Sequence, residues 1–219
     1  MIPQDDLLRA SNACLDAGVT ILQGFRLRSS DRAHVAALLE LMEPLVDTLW
    51  ADIGCGFGAV ADLMHQMRPD LGFVLINNNA FQLDRAPSRF LRLNADMCAI
   101  PLPNASVDGC MFLYALCHAE ALENALCEAR RITRPGGGLF VFDYERLAGD
   151  NRRMQRYLFA HALPFAQTRT IARAAGWEVT RHINPPGSDE VFRRLWGDEQ
   201  DYDAIFRDLR PVVWKAVRL

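Results

Sequence analysis

Along the chain, short continuous apolar runs alternate with apolar residues at helical spacing, and this order predicts strands alternating with helices. Residues 5–23, with Leu7, Leu8, Leu15, Val19 and Leu22, predict an N-terminal helix. Val35, Leu38, Leu39, Met42, Leu45 and Val46 follow a second helical period, which Pro44 bends or ends early. A first strand runs from Thr48 to Ile53. Val60, Leu63, Met64 and Met67, at i, i+3, i+4 and i+7, then mark a helix ending near Arg68-Pro69-Asp70. The next apolar runs, Phe73 to Ile76 and Phe90 to Leu93, stop at Asn77-Asn78-Asn79 and at Asn94-Ala95-Asp96. Val107 to Leu113, interrupted by Gly109, is a fourth strand, followed by a helix carrying Leu122, Ala125, Leu126, Ala129 and Ile132. Arg134-Pro135-Gly136-Gly137-Gly138 predicts a turn into a fifth strand, Leu139 to Phe142, which ends at Asp143-Tyr144-Glu145.

Beyond Asp150 the pattern predicts a helix with Met154, Tyr157, Leu158 and His161, and another over Thr168 to Ala175 that Gly176 stops. Strands over Trp177 to Ile183 and Val212 to Val217 follow, separated by a helix with Tyr202, Ile205, Phe206 and Leu209. Alternation of this kind implies parallel crossovers and an α/β sheet with helices on both faces.

A chain of 219 residues is long enough for one well-buried α/β domain and too short for two large ones. Its formal charge of −3 argues against a partner bound through phosphate neutralisation, so nucleic acid is not expected. The six cysteines form no C-x-x-C pair, which predicts a reducing, cytoplasmic setting and no bound metal. Asp5 and Asp6 stand where a signal peptide would be basic, and no apolar run is long enough for a membrane span.

The first strand ends in Asp52 and opens into Gly54, Gly56 and Gly58, a strand, turn and helix start suited to close backbone approach by a nucleotide. Dinucleotide enzymes prefer G-x-G-x-x-G, whereas this chain has D-x-G-x-G-x-G. That motif resembles the first motif of class I S-adenosylmethionine-dependent methyltransferases. Three further stretches extend the likeness: Asn94-Ala95-Asp96 with Ile100-Pro101-Leu102-Pro103, Ser106-Val107-Asp108-Gly109 leading to His118, and Glu128 through Gly138. Together they are similar to the small-molecule, type 11 branch.

The resemblance implies a Rossmann-like methyltransferase fold, a seven-stranded, mostly parallel sheet with one antiparallel strand at the end. It implies S-adenosylmethionine as cofactor, with Gly54, Gly56 and Gly58 along its methionine and ribose part and Cys55 and Leu113 also among the cofactor-binding residues. Asp52 would order the loop or reach the amino group, Asp96 the adenine amino group, and Met97 would cover the ring. One departure is Asn77, where the family usually has an acid accepting both ribose hydroxyls. An amide lacks the charge that strengthens those bonds, so Asn77 would hold the ribose more weakly or with help from Asn78 or Asn79.

The expected activity is methyl transfer to a small-molecule acceptor, with O- or N-methylation favoured. A hydroxyl acceptor benefits from a base; His118, after the fourth strand, and Asp143 or Glu145, after the fifth, are the candidates. The alternative is carbon methylation of an isoprenoid diphosphate, with Phe112, Tyr114, Tyr144 or Trp196 facing developing positive charge and Arg152, Arg153, Arg193 or Arg194 holding diphosphate. A non-catalytic cofactor-binding partner protein is the remaining reading. Residues 1–47 are expected to form N-terminal helices and a partial substrate lid, completed or not by a homodimer partner, over a domain spanning 48–219.

Overall fold

A computed structural model describes residues 4–158, 160–190, 193–194 and 202–219. Helices α1 (Gln4–Asp16) and α2 (Asp31–Met42) precede β1 (Leu49–Ile53), α3 (Ala59–Met67), β2 (Gly72–Asn77), α4 (Ala80–Asp84) and β3 (Leu91–Asn94). β4 (Val107–Leu113) leads through a short 3-10 turn, Leu116–His118, to α5 (Leu122–Ile132) and β5 (Thr133–Arg146). The remainder is α6 (Arg152–Leu158), α7 (Phe165–Ala174), β6 (Trp177–Ile183), α8 (Tyr202–Phe206) and β7 (Leu209–Arg218).

The seven strands form one sheet in the order β3-β2-β1-β4-β5-β7-β6. β1 to β5 pair in parallel, and β7 pairs antiparallel with both β5 and β6. The predicted antiparallel strand is thus last in the chain, though it lies inside the sheet rather than at its edge.

Strand pleating sorts successive residues to opposite faces. Ala51, Ile53, Val74, Ile76, Leu139 and Val141 pack with α5 and α7 through residues such as Leu126, Ile132 and Ala172. Trp50, Phe73, Leu75, Met111, Phe140 and Phe142 pack on the other face with Val35 and Leu38 of α2 and Met64 of α3.

Three local outcomes differ from the sequence expectation, and a fourth, the early end of α2, meets it. α1 stops at Asp16, because Gly18 (φ 69°) donates to Leu15 O and Val19 N–H reaches back to Cys14 O, the paired bonds of a glycine-terminated helix. Residues 19–23 therefore lie outside any helix or strand. α2 ends early, as Pro44 predicts, at Met42 with Glu43 left-handed, so Leu45 and Val46 do not continue its period and are 76% and 70% exposed. The glycine segment 134–138 is no separate turn: β5 pairs Thr133 with Val107 and Gly138 with Gly109, leaving 134–137 as a bulge within the strand. Finally, His161 lies beyond the end of α6, and Leu209 begins β7 rather than ending a helix.

Candidate functional site

The C-terminal ends of β1, β2 and β4 open onto a cavity of about 610 Å³. In a parallel sheet this is where loops diverge and ligands bind. Of the residues singled out in the sequence, Asp52, Gly54, Cys55, Gly56, Asn77, Asn78, Asp96, Met97, Leu113, Tyr114 and His118 line it.

The floor is the β1–α3 turn. Gly54 (φ 77°) and Cys55 both donate their N–H to Ile76 O, at 2.8 and 3.1 Å, and so tie the turn to β2. A Cβ at Gly54 would lie 2.4 Å from the Ala115 Cβ, so only glycine lets β1 and the β4 exit approach this closely. Asp52 is 2% exposed, and its carboxyl has no hydrogen-bond partner among the described residues; burial pushes its pKa up to about 7. Burial and the neighbouring Asp52 also push the Cys55 thiol well up, which makes it a poor nucleophile.

Asn77 is buried at the end of β2. Its Nδ2 donates to Gln82 Oε1 at 2.9 Å and to Gly56 O at 3.3 Å, while Gln82 Nε2 donates to Ser11 Oγ of α1 at 2.8 Å. A buried polar chain thus runs from the N-terminal helix to the cavity wall. Asn78 is exposed on that wall, whereas Asn79 caps α4 by accepting from Gln82 N–H. Asp96 lines the cavity and also accepts from Cys98 N–H at 2.7 Å, so it shapes its own turn.

Tyr114 has a left-handed backbone (φ 55°), and its ring lies 4.7 Å from Phe142 and 4.9 Å from Tyr144. Burial, with Tyr144 and Asp143 nearby, raises its phenol well above the usual range, so it stays protonated at neutral pH. His118 is exposed at the rim, at the end of the 3-10 turn.

Gly58, Asp143 and Glu145 do not reach the cavity wall. Gly58 is the left-handed N-cap of α3, where a Cβ would meet Leu75 Cδ1 at 2.7 Å; its role is packing. Asp143 and Glu145 continue the Leu139 and Val141 register of β5, on the sheet face opposite Phe140 and Phe142. Asp143 Oδ2 accepts from Cys117 N–H and Oδ1 from Tyr144 N–H, both at 2.9 Å, which fastens the turn that carries His118. Burial raises the Asp143 carboxyl, against those donors and the His118 charge. Glu145 is engaged by Arg210 at 2.8 and 3.0 Å and by Asn184 at 2.6 Å, an ion pair joining β5 to β7.

Sequence reasoning missed the segment Thr20-Ile21-Leu22-Gln23, which lines the cavity once Gly18 has ended α1. Gly18 itself was the available signal. The wall also has a charge bias. It carries Asp52, Asp96 and Glu120, and although all 24 lysines and arginines are described, none lines it. Arg152 pairs with Asp150, and Arg193 with Asp189 and Asp203. Trp196 lies outside the described residues. Among the described residues no helix is long and apolar enough to cross a membrane, and no metal-holding cluster occurs.

Residues 51–141 match a family model described as a methyltransferase domain. An uncharacterized methyltransferase of Mycobacterium tuberculosis is 35% identical over 116 residues, 51% of this chain and 58% of that relative. The match therefore spans little more than half of that relative. Among solved structures, the [4+2]-cyclase SpnF superposes with a TM-score of 0.81 at 18% identity, covering 97% of this chain and 93% of that one. Geranyl diphosphate C-methyltransferase from Streptomyces coelicolor A3(2) gives 0.72 at 13% identity, covering 85% and 80%. At such identities the likeness is one of fold, and one of these two neighbours is described as a cyclase, so function rests on the site.

Proposed function

We propose that this chain, whose residues 51–141 match the methyltransferase-domain family model, is a class I S-adenosylmethionine-dependent methyltransferase that binds S-adenosylmethionine and transfers its methyl group to a small molecule. The observation that carries this reading is the buried Asp52 carboxyl on the cavity wall, with no hydrogen-bond partner among the described residues. A ligand ammonium beside it would compensate its burial. The residues present fit the cofactor in other respects. The glycine turn leaves room for backbone approach, Asn77 keeps its Oδ1 for a ribose hydroxyl while its Nδ2 is engaged, and Asp96 with Met97 offers an acceptor and an apolar cover for adenine.

When bound, the cofactor supplies a methyl group on a positively charged sulfur, so alignment with the acceptor provides much of the acceleration. The protein's part is to hold that alignment and to take up the acceptor's proton. His118 at the rim is the group for it, because Tyr114 is held protonated and Glu145 is committed to Arg210. A wall bearing three carboxylates and no lysine or arginine favours an uncharged or cationic acceptor over a phosphorylated one.

The test is calorimetric titration with S-adenosylhomocysteine, with NADH as control, followed by labelled methyl transfer to a panel of amines, alcohols and geranyl diphosphate. Micromolar S-adenosylhomocysteine binding, lost in Asp52→Ala, is the expected result. Absence of binding would refute the cofactor assignment, and geranyl diphosphate as the preferred acceptor would refute the charge argument. Binding without transfer to any amine, alcohol or lysate component would favour the non-catalytic partner protein.

A further inference from the structure

Gln23 is 4% exposed and sits on the cavity wall, next in sequence to Leu22, whose Cδ1 would lie 3.6 Å from a Cβ placed on Gly56. Leu22 thus stands beside the glycine turn, and Gln23 shares the cavity wall with that turn. The Gln23 Oε1 is hydrogen-bonded to Nε2 of His34, a fully buried residue of α2. On the other side of that ring, Nδ1 accepts from Leu27 N–H at 3.0 Å, so the ring proton resides on Nε2 and is donated to Gln23. Burial and the nearby Arg26 charge, against Asp31, bring the His34 pKa down to about 4, and the ring is neutral at physiological pH.

This arrangement fixes the Gln23 carboxamide in one sense. The oxygen is turned to His34, and the NH2 group, which has no hydrogen-bond partner among the described residues, is what remains to offer a ligand. An anionic ligand group over the glycine turn meets no lysine or arginine on this wall, so neutral donors must serve it.

We infer that the Gln23 carboxamide nitrogen is the hydrogen-bond donor to the α-carboxylate of the cofactor's amino-acid end, and that His34 is the positioning residue that orients it. This rests on the cofactor reading above.

The experiment compares S-adenosylhomocysteine with its decarboxylated analogue, which keeps the adenosine, the thioether and the amine, by calorimetric titration of wild type, Gln23→Ala, Gln23→Glu and His34→Asn. A hydrogen bond to a charged group is strong enough that Gln23→Ala should bind S-adenosylhomocysteine roughly tenfold more weakly, and Gln23→Glu more weakly still through like-charge repulsion. Affinity for the decarboxylated analogue should change by less than about twofold in the Gln23→Ala and His34→Asn proteins. His34→Asn should also erode the preference for the carboxylated ligand; if it does not fold, the two Gln23 variants decide. Equal loss for both ligands, or no loss for either, overturns the inference alone. Wild-type protein that binds neither ligand overturns the cofactor reading and the inference with it.

Discussion

Ionising Asp52 takes a charge out of water with no donor among the described residues to replace it, and burial raises its pKa from 3.8 to about 7. Between those values the native state holds a proton that the unfolded chain has lost. Asp52 therefore favours the folded state most below about pH 4, and that contribution is lost as pH rises through about 7, a difference on the order of 4 kcal/mol. Asp52→Asn should accordingly gain stability over wild type at pH 8 and little at pH 4 in urea denaturation; identical pH profiles would show that Asp52 is solvated. The same group should report on the ligand. A cation placed against it lowers its pKa, so S-adenosylhomocysteine binding at pH 6 should release a proton, detectable by titration in buffers of different ionisation enthalpy, and the release should vanish in Asp52→Asn. Asn77 poses a different question, because Gly56 O and Gln82 Oε1 both accept from its Nδ2. Replacing it with the family's usual acid puts a carboxylate against two acceptors, so Asn77→Asp should weaken S-adenosylhomocysteine binding by several-fold; tighter binding would mean that the local network rearranges freely.

The 3-10 turn Leu116–His118 carries the proposed base, and Asp143 holds that turn from beneath the sheet end. Asp143→Ala leaves the Cys117 and Tyr144 N–H groups without their acceptor, which should cost about 1–3 kcal/mol per buried group and slow turnover through displacement of His118. His118→Gln should slow turnover without that loss of stability, and both variants should bind S-adenosylhomocysteine nearly as wild type does. Unchanged turnover in His118→Gln would remove the base from the proposal. Sequence logic located these elements but not their orientation. Runs such as Phe73 to Ile76 and Leu139 to Phe142 are apolar throughout because both sheet faces are covered, and a continuous run hides which residues share a face. Asp143 and Glu145 were legible as polar residues ending a strand, while their side of the pleat was not. In contrast, the strand-end cluster of Asp52, Asn77, Asp96 and His118 could be read from the sequence, since each follows an apolar run and parallel strands end on one side. The β5 bulge escaped because Pro135 and three glycines spell a turn equally well.

At the scale of the molecule, the described part of the first 47 residues belongs to the core on one face of the sheet. Ile21, Leu27, Val35, Ala37, Leu38 and Met42 are buried in one cluster with Phe73, Phe140 and Val213 of the sheet. The segment that follows β6 is joined to the same region: Arg26 and Ser188 exchange backbone hydrogen bonds at 2.7 and 2.8 Å, and a Cβ on Gly187 would collide with Arg26 O. Among the described residues of this N-terminal stretch, 20–23 line the cavity, so lining the site and completing the core are carried by neighbouring positions of one segment. Removing residues 1–47 would expose the α2-facing side of the sheet and forfeit burial of those apolar side chains, on the order of 10 kcal/mol and comparable with the whole stability of a domain. The fragment 48–219 should therefore show no cooperative thermal transition and should bind a hydrophobic dye, whereas the full chain melts sharply. A sharp transition within a few degrees of the full chain's would mean that the N-terminal region is a separable lid after all, resting on a sheet that is stable without it.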